Sequence, residues 1–222
     1  MGYKNVINSP QTTIVHMKKS SFLLPILFFA LYLHGQEPYQ FTEIKMQVAT
    51  PVKSQDRTGT CWAFSTASFL ESEARRLGKG EHDLSEMYVV RHVYRDKCEL
   101  YVRRQGTANL GEGGLAHDLL RAVARYGLVP ETVYPGKKDP SRPHDHSAIE
   151  SRLKTRCNEL VSLGKKGALP ANWLMQIDTI LDAEFGKVPA KFKYAGAEYT
   201  PLGFRDYLNI KPADYVNLTS FT

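Results

Sequence analysis

Cysteine is scarce in this chain. Its 222 residues hold three, Cys61, Cys98 and Cys157. No two of them form a CxxC pair, which argues against a structural zinc site. A basic stripe interleaved with aromatics is missing as well. The formal net charge is +6, but the lysines and arginines are scattered, so a nucleic-acid partner is not implied. The apolar run at residues 22–33 is too short for a membrane span, which needs about twenty residues. What is present is an ordinary globular composition, 42% hydrophobic and 23% charged, with length enough for a sizeable core in one or two domains.

The short run has a meaning of its own. Met17-Lys18-Lys19 gives it a basic start, and Gly35-Gln36-Glu37-Pro38 ends it. That order matches a secretory signal peptide over residues 17–36, cut near Gly35 or Gln36. No cysteine follows the run, which argues against a lipoprotein anchor. Residues 1–16 show no pattern and read as a non-native or disordered extension, with translation starting at Met17. The expected location is therefore periplasmic or secreted, without a stable membrane anchor after cleavage, or cytoplasmic if the leader is not used.

The rest of the chain is organised around residues 55–65, QDRTGTCWAFS. A turn of small residues, Thr58-Gly59-Thr60, delivers Cys61 to the expected first residue of a helix. Ala63, Ala67, Leu70, Ala74 and Leu77 fall on one face at helical spacing. Arg75 and Arg76 suit the far end of its dipole, and Gly78 and Gly80 stop it. Cys61 then sits at the positive end of that dipole, where the nucleophilic thiolate is favoured. Gln55 stands six positions earlier. A loop that short can fold back, so that the Gln55 amide and the Cys61 backbone N–H converge as an oxyanion hole. Gly59 lets the backbone pass close to a substrate. A buried structural cysteine beside a core tryptophan, Trp62, is the plainer reading of an isolated Cys-Trp pair. The glutamine spacing and the helix start favour the nucleophile. Cys98 and Cys157 are then left to pair in an oxidising compartment, and nothing in the sequence says whether they are close enough.

Gly59-Thr60-Cys61-Trp62, followed by Ala63-Phe64-Ser65, resembles the active-site segment of papain-like cysteine peptidases. Gln55 matches that family's oxyanion glutamine in spacing, and Leu84-Ser85-Glu86 also occurs at this place in the family. Gly113-Gly114 resembles the family's glycine pair, which lines the cleft opposite the nucleophile. Consecutive glycines let a substrate backbone approach and pair with the loop. Tyr126-Gly127-Leu128-Val129-Pro130 is similar to the bleomycin hydrolase and aminopeptidase C branch. The resemblance implies catalytic roles for Cys61 and Gln55. It implies substrate-binding roles for Gly59, Trp62, Gly113 and Gly114, with Trp62 packed beneath the site. It implies a peptide substrate, no metal, no cofactor, and a homo-oligomer as a possibility at full length. Many relatives join the two loops by a disulfide at the positions of Thr58 and Gly111, and that bridge is absent here.

The expected fold class is α+β, mostly α in this piece. It would be the helical half of a papain-like fold with a helical insertion, the β-rich half missing. Residues 37–222 read as the N-terminal part of the peptidase domain, with a core at 48–136 and the insertion at 147–222. Residues 37–53 form an extended lead-in, with Val48, Pro51 and Val52 expected to pack beside the Cys61 helix. Asp83 or Ser85 caps a second helix, whose His82 and His92 are surface or packing residues. Gly127 ends a third as an αL cap. Residues 136–146 read as a solvated polar loop. Helices are expected through Ile149, Leu153, Cys157, Leu160 and Val161, then through Trp173 to Phe185, and after the Thr200-Pro201 cap.

A papain-like mechanism also needs a histidine base and an orienting asparagine. No histidine here stands in the expected β-rich context. The chain is expected to be part of a longer peptidase, with negligible turnover alone. The alternative is a non-catalytic peptide-binding or regulatory fragment. A metal-binding protein using His144, His146 and a cysteine is a third reading.

Overall fold

The computed structural model describes residues 39–137, 139 and 141–218. The expected extension and signal peptide lie outside the described residues. The chain divides into two compact units, and residues 39–46 of the first are irregular and exposed. The second unit, Gln47–Thr222, holds every helix and strand described below.

Its elements run α1 Cys61–Arg76, α2 Glu86–Arg103, α3 Ala116–Tyr126, α4 Ser147–Lys165, α5 Trp173–Phe185, β1 Phe192–Tyr194, β2 Ala197–Tyr199 and α6 Pro201–Tyr207, with a short 3-10 turn at Pro212–Asp214. Among the described residues the fold is mostly helical, as the sequence led us to expect. The centre is α2. Twelve of its 18 residues are buried, so it cannot be a surface helix. It packs against α1, α3, α4 and α5. Ser85 starts it, accepting from Tyr88 N–H at 3.0 Å, which satisfies one of the orphan donors of the first turn.

A helix this buried must neutralise the charges it carries inward. Arg91 bonds Asp182 at 2.6 Å and Asp178 at 3.3 Å, and Arg95 bonds Asp178 at 2.9 Å; these pairs dock α5. On the other side Lys53 contacts Glu86 at 2.5 Å and Glu71 of α1 at 3.2 Å. Burial still pushes the Glu86 carboxyl up to about 7. The lead-in is therefore held by polar contacts, Lys53 and Thr50 on Glu71. Val48, Pro51 and Val52 do not pack on α1 as expected; all three are exposed. A buried carboxylate on α1 needs partners, and the lead-in supplies them.

Three further expectations are corrected. Gly127 has φ 83° and ψ −156°, so it is not an αL cap but adopts a mirror-extended conformation open to glycine. The insertion is not all helix: β1 and β2 pair antiparallel, Phe192 opposite Tyr199. Their turn, Ala195-Gly196, has positive φ at both residues, as the type I′ turn of a two-residue hairpin requires. The available signal was the spacing of Phe192, Tyr194 and Tyr199 about that turn. Finally, His144 and His146 are not solvated: both are buried, while Ser141, Arg142, Pro143 and Asp145 around them stay exposed. Cys98 on α2 and Cys157 on α4 are free and fully buried.

His92 carries a pH prediction. Its ring stacks on Tyr126 at 3.9 Å, and both ring nitrogens are buried without partners. Burial, then Arg91, Arg95 and Arg125, pull its pKa down to about 3. The folded state therefore binds fewer protons than the unfolded chain between pH 6.5 and 3, and stability falls as pH drops through that window. We expect His92→Phe to remove about one proton from that dependence, about 1.4 kcal/mol per pH unit. Urea titrations at several pH values measure it; an unchanged slope would count against neutral burial.

Candidate active site

Cys61 is the first residue of α1, and it is exposed. The loop before it is tied tightly to itself. Thr58 Oγ1 donates to Gln55 O at 2.8 Å and lies 2.5 Å from Thr60 Oγ1. Thr60 thus spends its hydroxyl inside the loop and does not cap α1. The first turn of α1 contains no acidic residue, and among the described residues nothing accepts from the Cys61 N–H. Uncapped helix starts give up stability that a Ser, Thr or Asp cap would supply, typically about 1 kcal/mol. Here the open end leaves the positive pole of the helix and a free N–H beside an exposed thiol.

Gln55 is half-buried. Its side-chain Nε2 donates to Thr58 O at 2.5 Å, bracing the turn that presents Cys61. A primary amide has two N–H donors, so one remains after this bond. The loop is also pinned from outside. Arg57 pairs with Asp145 in a parallel bridge, through Arg57 N to His144 O at 3.0 Å and His146 N to Arg57 O at 3.4 Å. Asp56, at φ 55°, accepts from His144 N at 2.9 Å, and that bond holds its carboxyl below the usual range.

Trp62 points inward and is buried. Its Nε1–H donates to Glu112 O at 3.0 Å, and the Glu112 carboxylate accepts from Gly59 N–H. The glycines explain this closeness. A Cβ at Gly114 would lie 2.7 Å from the Trp62 indole, and one at Gly59 would lie 2.9 Å from Glu112 Cβ. Gly59 therefore makes room first for Glu112, where the sequence suggested room for a substrate. Gly113 is exposed, and a Cβ there would meet nothing within 4 Å. The structure thus gathers Gly59, Trp62 and Gly114 about Glu112.

Residues 38–183 match the family model for papain family cysteine protease. This chain belongs to the papain family of cysteine proteases. Two relatives are the senescence-specific cysteine proteases SAG39 of Oryza sativa subsp. indica and subsp. japonica. Each is 28% identical over 124 residues, covering 55% of this chain and 31% of theirs. The chain therefore spans about a third of the length of the curated relatives it matches. Among solved structures, PepW from Lactobacillus rhamnosis superposes with a TM-score of 0.54 at 20% identity, over 73% of this chain and 45% of that one. The shared fold is the helical half of the papain-like architecture.

Two residues that hold these two loops together escaped sequence reasoning. Glu112 was visible as the one charge among the glycines of residues 111–114. Lys97 had no local signal, since it reaches the loop from the middle of α2. A cavity of about 560 Å³ between α2 and α3 and another of about 400 Å³ beside His144 and His146 are not lined by Cys61.

Proposed function

We propose that the chain carries the nucleophile of a cysteine-type peptidase of the bleomycin hydrolase and aminopeptidase C kind. The observation that carries this reading is an exposed Cys61 at an uncapped helix start, its own N–H free. Membership of the papain family supports the reaction class, and the resemblance of residues 126–130 supports the branch. A peptide lies extended across Gly113 and Gly114. Cys61 Sγ attacks its carbonyl carbon. The oxygen takes the charge and is held by the Cys61 N–H and the second N–H of Gln55. Collapse breaks the C–N bond, the leaving nitrogen takes up the proton that the thiol gave up, and a thioester is left for water.

Among the described residues no histidine is hydrogen-bonded to Cys61. His146 faces Tyr94 O–H at 3.3 Å, and His82 bonds Lys79 O at 2.8 Å. The base and its asparagine are therefore assigned outside these residues, and the chain alone acylates without rapid turnover. The leader at residues 17–36 is assigned to export.

Aminoacyl p-nitrophenyl esters test this. The purified chain should release one equivalent of nitrophenolate and then slow sharply, and Cys61→Ser should release none. Blocking the ester's amine by acetylation should slow the burst by about tenfold or more if binding reads the free N-terminus. Absence of a burst overturns the nucleophile in favour of a non-catalytic peptide-binding piece. Fast steady turnover overturns the missing base.

A further inference from the structure

The loop before Cys61 and the glycine loop opposite it are joined here without a covalent bond. Thr58 and Gly111 are not cysteines, and the two loops hold no cysteine besides Cys61. Glu112 makes two attachments of different kinds. Its carboxylate accepts from Gly59 N–H, two residues before the nucleophile, and its backbone carbonyl accepts from Trp62 Nε1–H, one residue after it. Both bonds require the Glu112 peptide units to be turned a particular way. That turn is held by Lys97 of α2. Its Nζ donates to Gly111 O at 2.7 Å and to Gly113 O, the carbonyls on either side of Glu112. Beyond the loop, Leu115 N–H donates to Asp118 at 2.8 Å, which fixes the start of α3.

We propose that Lys97 and Glu112 form a non-covalent clamp that positions the substrate-binding loop against the nucleophile loop, with Lys97 as the positioning residue. The proposal rests on the peptidase reading of Cys61 for its consequence, though not for its geometry. Lys97 bonds carbonyls and carries no carboxylate partner at the loop, so its donors serve the loop backbone. Partial burial holds its ammonium below the usual range. Lys97 takes one of the two lone pairs of Gly113 O, which leaves one there and the groups around Gly114 for an extended substrate. Without the ammonium, two carbonyls lose a charge-assisted donor and the loop is free to turn Gly114 away from Cys61. The chemistry at Sγ is untouched, so the loss falls on substrate binding.

Lys97→Met and Lys97→Arg in the 222-residue chain test this, with Glu112→Ala as a second route to the same break. The first readout is hydrogen exchange of the Trp62 indole N–H, assigned by its loss in Trp62→Phe. The second is the ester concentration for half-maximal acylation, measured apart from the maximal acylation rate. We expect Lys97→Met to speed indole exchange and to raise that concentration, each by about tenfold, corresponding to about 1.4 kcal/mol. The maximal rate should stay within about threefold of the parent. Lys97→Arg, which keeps the donors, should restore both. Unchanged exchange in Lys97→Met and in Glu112→Ala overturns the clamp. Faster exchange with an unchanged half-maximal concentration overturns the positioning role. If the parent chain gives no burst at all, the peptidase reading fails, while the exchange readout still decides whether the clamp exists.

Discussion

Replacing Gly127 with alanine should lower the melting temperature by about 10 °C, more than most single changes achieve. The glycine ends α3 at φ 83° and ψ −156°, a region that an L side chain enters only at a cost of about 1–3 kcal/mol. Strain is one part of the cost. A Cβ at 127 would lie 2.2 Å from the backbone carbon of Pro201, 2.3 Å from its oxygen and 2.5 Å from Leu202 N. Backbone cannot rotate aside as a side chain can, so α3 and α6 must part. Leu128 N–H donates to Pro201 O at 3.0 Å, and Arg205 donates to Ala124 O at 2.9 Å; both bonds are lost when they do. Overpacking adds about 1–3 kcal/mol, for a total of about 4 kcal/mol, or about 10 °C in a chain of this size. Thermal unfolding followed by circular dichroism measures it. A shift of under about 2 °C would mean that α3 and α6 do not meet as described.

The second large effect is on rate. Gln55→Ala should slow acylation of Cys61 by an aminoacyl ester by about a hundredfold or more, the usual cost of one oxyanion donor. The amide also braces the loop through Thr58 O, a single neutral hydrogen bond of about 1 kcal/mol. Loss of bracing alone would move the melting temperature by a few degrees and the rate little. Gln55→Glu separates the two roles further. It is nearly isosteric but sets a negative charge beside the developing oxyanion, so it should be slower still than the alanine variant. If Gln55→Ala acylates at the parent rate, Gln55 only shapes the turn.

Local chemistry was legible in the sequence. Cys61 opens α1 where a small-residue turn meets an apolar helical face. Ser85 caps α2, Gly186 ends α5, and Thr200 accepts from Gly203 N–H at 3.0 Å ahead of Pro201. Each of these is decided within about four residues by capping or backbone preference. What was not legible depends on contacts between distant segments. The lead-in valines looked like packing residues, but a buried Glu71 called for Lys53 and Thr50 in their place. His144 and His146 sit in a polar stretch, yet the bridge to Arg57 carries them inward. Glu112 reads as a loop charge until Gly59 and Trp62 are seen to need it. The glycine pair was recognisable from the family pattern. The physical reason for Gly114, an indole 2.7 Å from where its side chain would begin, was not.

The central claim is that Cys61 is a nucleophile served by a peptide-binding surface. Treating the chain with a peptidyl epoxide and with the same epoxide stripped of its peptide, then mapping the modified cysteine by mass spectrometry, tests it most directly. We predict one equivalent of modification, at Cys61 and not at the buried Cys98 or Cys157, formed about tenfold or more faster with the peptidyl reagent, since remote binding energy is used at the reacting centre. Equal rates with the two reagents, or modification at Cys98 or Cys157 in preference to Cys61, would contradict it.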